Sequence, residues 1–274
     1  MALKRTNKWL ANHPLWLGVF SLGLGTLGWY AIIWAGELPP FILPAPHEVL
    51  ARFSRALSEG ILLRHAWVTL QEVLGGLLFG SGLAVTFGYA LAKSKFLERL
   101  LAPYVIASQA IPTVAVAPLL VIWFGPGVIS KVLVCALIVF FPILINTLFG
   151  VRNVPEELRD LMRSLQATPA QTFRMLEVPA ALPVLLGGLR IGATLAVIGA
   201  VVGEFVGADK GLGYLLNLAR GQYDVAMVFV TIFSLVLMAL SLYGLVVLAE
   251  RLLLRWRRPE NEERIMIAEV ERLQ

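Results

Sequence analysis

Eight charged side chains lie between Arg152 and Glu177, in a chain that is only 15% charged overall. The chemistry they could do is the first question. They contain no paired nucleophile and base, and the histidines that might complete such a set, His13, His47 and His65, are scattered over loops and the N-terminal tail. No HExxH or GxSxG occurs, so a hydrolase lacks its parts. No GKS or GKT phosphate loop exists either, so the chain is not expected to hydrolyse nucleotide or to bind a cofactor itself. GLGTLG at 23–28 matches a dinucleotide fingerprint in letters alone, because it lies in an apolar run with no preceding strand. A single cysteine, Cys135, allows neither a disulfide nor a thiolate metal site within the chain. The expectation is therefore a protein with no catalytic residues and no metal.

The elements around those charges are apolar. Of 274 residues 58% are hydrophobic, and the mean hydropathy of +0.78 lies outside the range of soluble domains. Stretches long enough to cross roughly 30 Å of hydrocarbon occur near 15–36, 67–92, 101–124, 129–150, 181–205 and 226–249. Six spans put both termini on one side. Lys and Arg number 16 in the two tails, the 93–100 turn and the 151–179 loop, against six in the alternate loops, Lys131 among them. That asymmetry places both termini and the 151–179 loop in the cytoplasm. The net charge of +5 thus reads as membrane orientation and not as nucleic-acid binding. Between spans one and two, Val49, Leu50, Phe53 and Leu57 recur at helical spacing and suggest an interfacial helix on the outer surface.

Ionisable groups inside the spans are few: Glu72, Arg190 and Glu204. A carrier driven by protons or sodium would be expected to hold more near the midplane. Small residues recur at four-residue spacing, Gly76 and Gly80 in span two and Gly199, Gly203 and Gly207 in span five, as close helix packing requires. Pro112, Pro118 and Pro142 interrupt spans three and four, which lipid permits where neighbouring helices satisfy the freed carbonyls, so both spans are expected inside the bundle. Tyr89, Trp123 and Phe124 supply aromatic surface of the kind that gathers at membrane interfaces.

The charged loop has its own structure. Glu156 and Glu157 follow Pro155 in a first helical turn, where the dipole favours acids. Leu158, Leu161, Met162 and Leu165 then form one apolar stripe, with Glu156, Glu157, Arg159 and Arg163 along its edges. At Thr168-Pro169-Ala170-Gln171 a second helix begins, with Thr168 as N-cap and Gln171 at the capping-box position. Burying eight charges in lipid would cost on the order of 20 kcal/mol, so the loop stays outside it. Its stripe meets either a partner protein or the chain's own membrane-proximal surface.

The loop resembles the EAA signature of permease subunits of ATP-binding-cassette importers, in which E-A-A, a glycine and I-x-L-P fall at fixed spacing. Here those positions hold Asp160-Leu161-Met162, Gln166, Leu176 and Val178-Pro179. LPAPHEVL, IPTVAVAPLLVIWFG, FFPILINTLFGVRNVP, PAALPVLLGGLRIG and GEFVGADKGLGYLL, in that order, look like the branch that imports nitrate, sulfonates and taurine, and also thiamine-precursor pyrimidines and riboflavin. The resemblance covers roughly residues 40–250.

It implies an all-α, six-helix permease of the type I importer fold in a bacterial inner membrane. The tails would be 1–14 and 251–274, and the transmembrane domain 15–250. Its implied partners are ATPase subunits that use ATP, an extracytoplasmic solute-binding protein and a second permease copy, in a homodimer. Glu157, Leu158, Asp160, Leu161, Met162, Leu165 and Gln166 would couple to the ATPase, while Gly199, Gly203 and Glu204 would serve the pathway or helix packing. If the signature glycine ends the helix at positive φ, Gln166 in its place costs about 1 kcal/mol. The solute expected is a nitrogen heterocycle, flavin- or pyrimidine-like, over a sulfonate or nitrate, because no Lys or Arg lies at a midplane. A stand-alone channel or carrier is the alternative of another class.

Overall fold

The computed structural model describes residues 14–254, so the basic N-terminal tail and the C-terminal tail with Trp256 lie outside it. Among the described residues are ten helices: α1 (Pro14–Gly36), α2 (Pro46–Ser58), α3 (Ile61–Lys93), α4 (Lys95–Gln109), α5 (Thr113–Phe124), α6 (Val128–Arg152), α7 (Glu156–Ser164), α8 (Pro169–Gly207), α9 (Leu212–Gly221) and α10 (Val225–Leu253). Helices α3, α6, α8 and α10 are each long and apolar enough to span a membrane. Taken together, the bent pair α4–α5 is long and apolar enough for a fifth, and α1 contributes a shorter apolar stretch, Phe20–Gly36. These are the six apolar segments of the sequence.

Span three departs from expectation. Between α4 and α5 the chain bends by 94°, because Pro112 cannot donate to the carbonyl four residues back and Ile111 before it is pushed out of the helical region. Nor is this span inside the chain's own bundle: no residue of α4 and only Ala117 of α5 is buried. Span four, which carries Pro142, is interior as expected, with Val134, Cys135, Val139 and Ile143 fully buried.

The described residues fall into two compact units, 14–68 with Lys210–Leu235, and Thr69–Asp209 with 236–254. In the first, Ala45 N donates to Glu48 Oε2 at 2.8 Å to start α2, whose Val49 is buried while Leu50 is exposed. Arg52 binds Asp224 at 2.8 Å, and Asp224 caps α10 by accepting from Met227 N at 3.0 Å.

The second unit is built on α6 against α8. Cys135 sits between two glycines: a Cβ on Gly76 of α3 would collide with the Cys135 side chain, and one on Gly199 of α8 would lie 2.8 Å from Cys135 Cα. Backbones that close gain dispersion contacts along their length, the chief attraction left once lipid removes the hydrophobic drive between helices.

Candidate functional site

The loop beyond α6 forms two helices. In α7 the stripe is exposed on this chain at Leu158, Leu161 and Leu165, the last at 68% of its full exposure. Glu156, Glu157 and Asp160 are exposed with it, and Met162 is half-buried. Arg163 pairs along the helix with Asp160 at 2.7 Å. The helix ends in a Schellman cap. Ala167 N donates to Met162 O at 3.0 Å, Gln166 N donates to Arg163 O at 2.9 Å, and Gln166 itself has φ +53. Gln166 therefore occupies the left-handed position that glycine fills without strain.

The start of α8 is the capping box read from sequence: Thr168 Oγ1 accepts from Gln171 N at 3.3 Å, and Thr168 N donates to Gln171 Oε1 at 2.8 Å. Beyond the cap there is no separate loop helix. Instead α8 runs on without a break from Pro169 to Gly207, 39 residues, passing through one wide π-type turn at Phe173–Glu177.

That turn aims Glu177 inward. The carboxylate is 2% exposed; it accepts from Tyr89 Oη at 2.9 Å, is paired with Lys93 Nζ, and stands 4.0 Å from Arg159 Nη1. Helical periodicity puts Arg159 at the edge of the stripe. The side chain turns back instead, donating from Nη2 to Val151 O at 2.8 Å. Nearby, Arg152 clasps Glu98 through two bonds of 2.5 Å. These contacts tie α7, the end of α6, the end of α3 and the π turn into one polar network. Sequence reasoning missed its hub, although an acid immediately before Val178-Pro179 in apolar surroundings was a signal. Tyr89, which the sequence offers only as aromatic surface, is part of it.

The glycines and Glu204 lie elsewhere on α8. A Cβ on Gly203 would meet Lys131 Cγ at 3.0 Å, and one on Gly207 would meet Val121 Cγ1 at 3.1 Å. Glu204 is buried and accepts from Thr69 Oγ1 at 2.6 Å, while Glu72 is buried on α3. Lys131, counted from sequence as an outer-loop charge, is buried in the first turns of α6 and 1% exposed. Its ammonium donates to Gly207 O at 2.9 Å and to Pro126 O. The glycine-rich face of α8 lets the Lys131 stem lie flat against it, which the apolar pattern of neither helix reveals alone. Arg190 is paired with Glu250 at 2.5 Å.

The chain thus combines apolar spans with an amphipathic helix whose stripe it leaves exposed and whose Arg159 is tied back to the ends of two spans. Residues 76–255 match the family described as the binding-protein-dependent transport system inner membrane component. The chain belongs to this family. It is a multi-pass inner-membrane permease of an ABC importer, a transport component and not an enzyme. That excludes the stand-alone channel or carrier. The permease is 50% identical over 228 residues to a riboflavin transport system permease of Chloroflexus aurantiacus, an alignment covering 83% of this chain and 85% of the relative. It is 38% identical to a formylaminopyrimidine transport permease of Halalkalibacterium halodurans, over 81% and 88% of the two chains. To the taurine permease of Escherichia coli the identity is 28%, over 89% and 91%. Inward-facing structures of the MetNI methionine ABC transporter share its fold at TM-score 0.57 and 23% identity, covering 70% of this chain and 94% of that one. The type I importer permease fold and the branch inferred from the motifs both stand.

Proposed function

We propose that this permease imports an uncharged nitrogen heterocycle of the riboflavin or pyrimidine class, working as a homodimer with α7 seated in a groove of its ATPase. The observation that carries the solute class is the 50% identity, sustained over 228 residues, with a riboflavin permease. The lining of the spans supports it: Lys131 is engaged by backbone carbonyls and Arg190 by Glu250, which leaves neither poised for an anion. The docking role of Leu158, Leu161, Met162 and Leu165 is supported by three leucines exposed along α7 and its C-cap, apolar surface of the kind that marks an interaction site. Glu157 and Asp160 stand at the rim of that stripe, and Gln166 ends it.

The test is ATP-dependent riboflavin uptake by proteoliposomes holding this permease with its ATPase and solute-binding protein. Uptake supports the reading; taurine uptake without riboflavin uptake moves the permease to the sulfonate class. A purified complex with one permease chain per ATPase pair would overturn the homodimer.

Both termini and α7 are assigned to the cytoplasm on the Lys and Arg asymmetry. Ser58→Cys and Lys210→Cys should react in sealed cells with an impermeant thiol reagent, and Thr168→Cys should not. Labelling at Thr168 would reverse the orientation. The native Cys135 is buried and adds no background.

A further inference from the structure

Three cavities of the second unit differ in what they could bind. One, about 430 Å³, is walled by Phe79, Leu83, Phe87, Phe140 and other apolar groups. Another, about 310 Å³ beside Glu177, has polar groups that are already engaged: Tyr89 bonds Glu177, Thr147 bonds Ile143 O and Thr86 bonds Gly82 O. The third lies at the 94° break in span three. It is about 370 Å³, within the roughly 300–1,000 Å³ of small-molecule sites. Ser108 and Gln109 reach it from the end of α4, Thr113 from the start of α5, and Phe141 from α6. None of its eight lining residues is charged.

Hydrogen-bonding capacity remains there. Ser108 Oγ donates to Val105 O at 2.8 Å, which leaves its lone pairs to accept. The Gln109 amide nitrogen makes one long contact of 3.4 Å to the same carbonyl, so its carboxamide can turn to a ligand. Irregular backbone in a membrane is tolerated where it lines a cavity, and discontinuous helices form the solute sites of many secondary transporters. Phe141 and Ile111 supply apolar walls for a flat ring.

We propose that the break between α4 and α5 is a solute subsite of the transport pathway, taking an uncharged planar ring through hydrogen bonds to Ser108, Gln109 and Thr113 with Phe141 as its apolar wall. This rests on the heterocycle reading above. Burying a cationic or anionic solute among these neutral groups would leave its charge unpaired, which is costly.

The experiment is riboflavin uptake by proteoliposomes holding the whole transporter, with Gln109→Leu and Thr113→Val combined in the permease. Uptake should fall about tenfold on loss of two neutral hydrogen bonds, with the ATPase still copurifying. Phe79→Leu, in the apolar cavity, should transport as the wild type does. If the wild type takes up riboflavin and the double variant matches it within twofold, the subsite is wrong while the transport reading stands. If the wild type takes up neither riboflavin nor formylaminopyrimidine, the heterocycle reading and the subsite fall together. Should the double variant not assemble, Thr113→Val alone is near-isosteric and should still lower uptake about threefold; wild-type uptake by it overturns the subsite.

Discussion

Arg159 Nη2 donates to the Val151 carbonyl at 2.8 Å, fastening α7 to the last turn of the span before it. The same guanidinium stands 4.0 Å from Glu177 at the entrance to span five. One side chain thus links α7 to the ends of two spans.

Arg159→Ala should remove a charge-assisted bond of about 1.5–3 kcal/mol. The expected result is a permease that reaches the membrane in normal amount but transports several-fold less per ATP, with faster amide exchange in α7. Unchanged transport per ATP would place Arg159 back at the rim, as its periodicity suggests.

Leu161 and Leu165 are 53% and 68% exposed on this chain. Leu161→Asp with Leu165→Asp should weaken ATPase docking by about 2–4 kcal/mol, from the apolar area lost at roughly 25 cal/mol per Å². Titrating the purified ATPase against permease in nanodiscs measures this, and wild-type affinity would show that the stripe docks nowhere.

Gln166 at φ +53 holds a conformation that costs an L residue about 1–2 kcal/mol. Gln166→Gly should recover about 1 kcal/mol and slow exchange of the Ala167 amide about fivefold. Hydrogen exchange of the isolated permease reads it directly. A faster rate would mean that the Gln166 side chain supplies more than its backbone costs.

Gly199 lies where a Cβ would come 2.8 Å from Cys135 Cα, whereas a Cβ on Gly82 meets nothing within 4 Å. Gly199→Ala should lower thermal stability in detergent, by about 1–3 kcal/mol for an overpacked core. Gly82→Ala should be neutral or slightly stabilising. Gly203→Leu, against the Lys131 stem, should insert and yet abolish uptake.

Local chemistry was readable from the sequence and geometry between helices was not. The capping box of Thr168 and Gln171 is settled within four residues, so the letters determine it. The apolar runs mark the spans because lipid demands length and little else. Lys131 escaped because its burial depends on the glycine face of α8, about 70 residues away in the chain. Arg159 escaped because helical spacing gives a direction from the axis, while a long side chain can fold back to a carbonyl of the neighbouring element. Pro112 announced an interruption in span three, but a proline fixes only its own φ and restricts its neighbour, so the size of the turn, 94°, was not legible from it.

The unbroken run of α8 has a mechanical meaning. Thirty-nine residues at 1.5 Å each make a rod about 58 Å long, nearly twice the roughly 30 Å of a hydrocarbon core. Pivoted at one end, such a rod magnifies motion: a tilt of about 5° carries the other end through about 5 Å at that length. Its one widened turn lies at Phe173–Glu177, and π-type turns inside α-helices are found frequently at functional sites. A tilt of that size about Pro169 carries Gly207 through about the height of one helical turn.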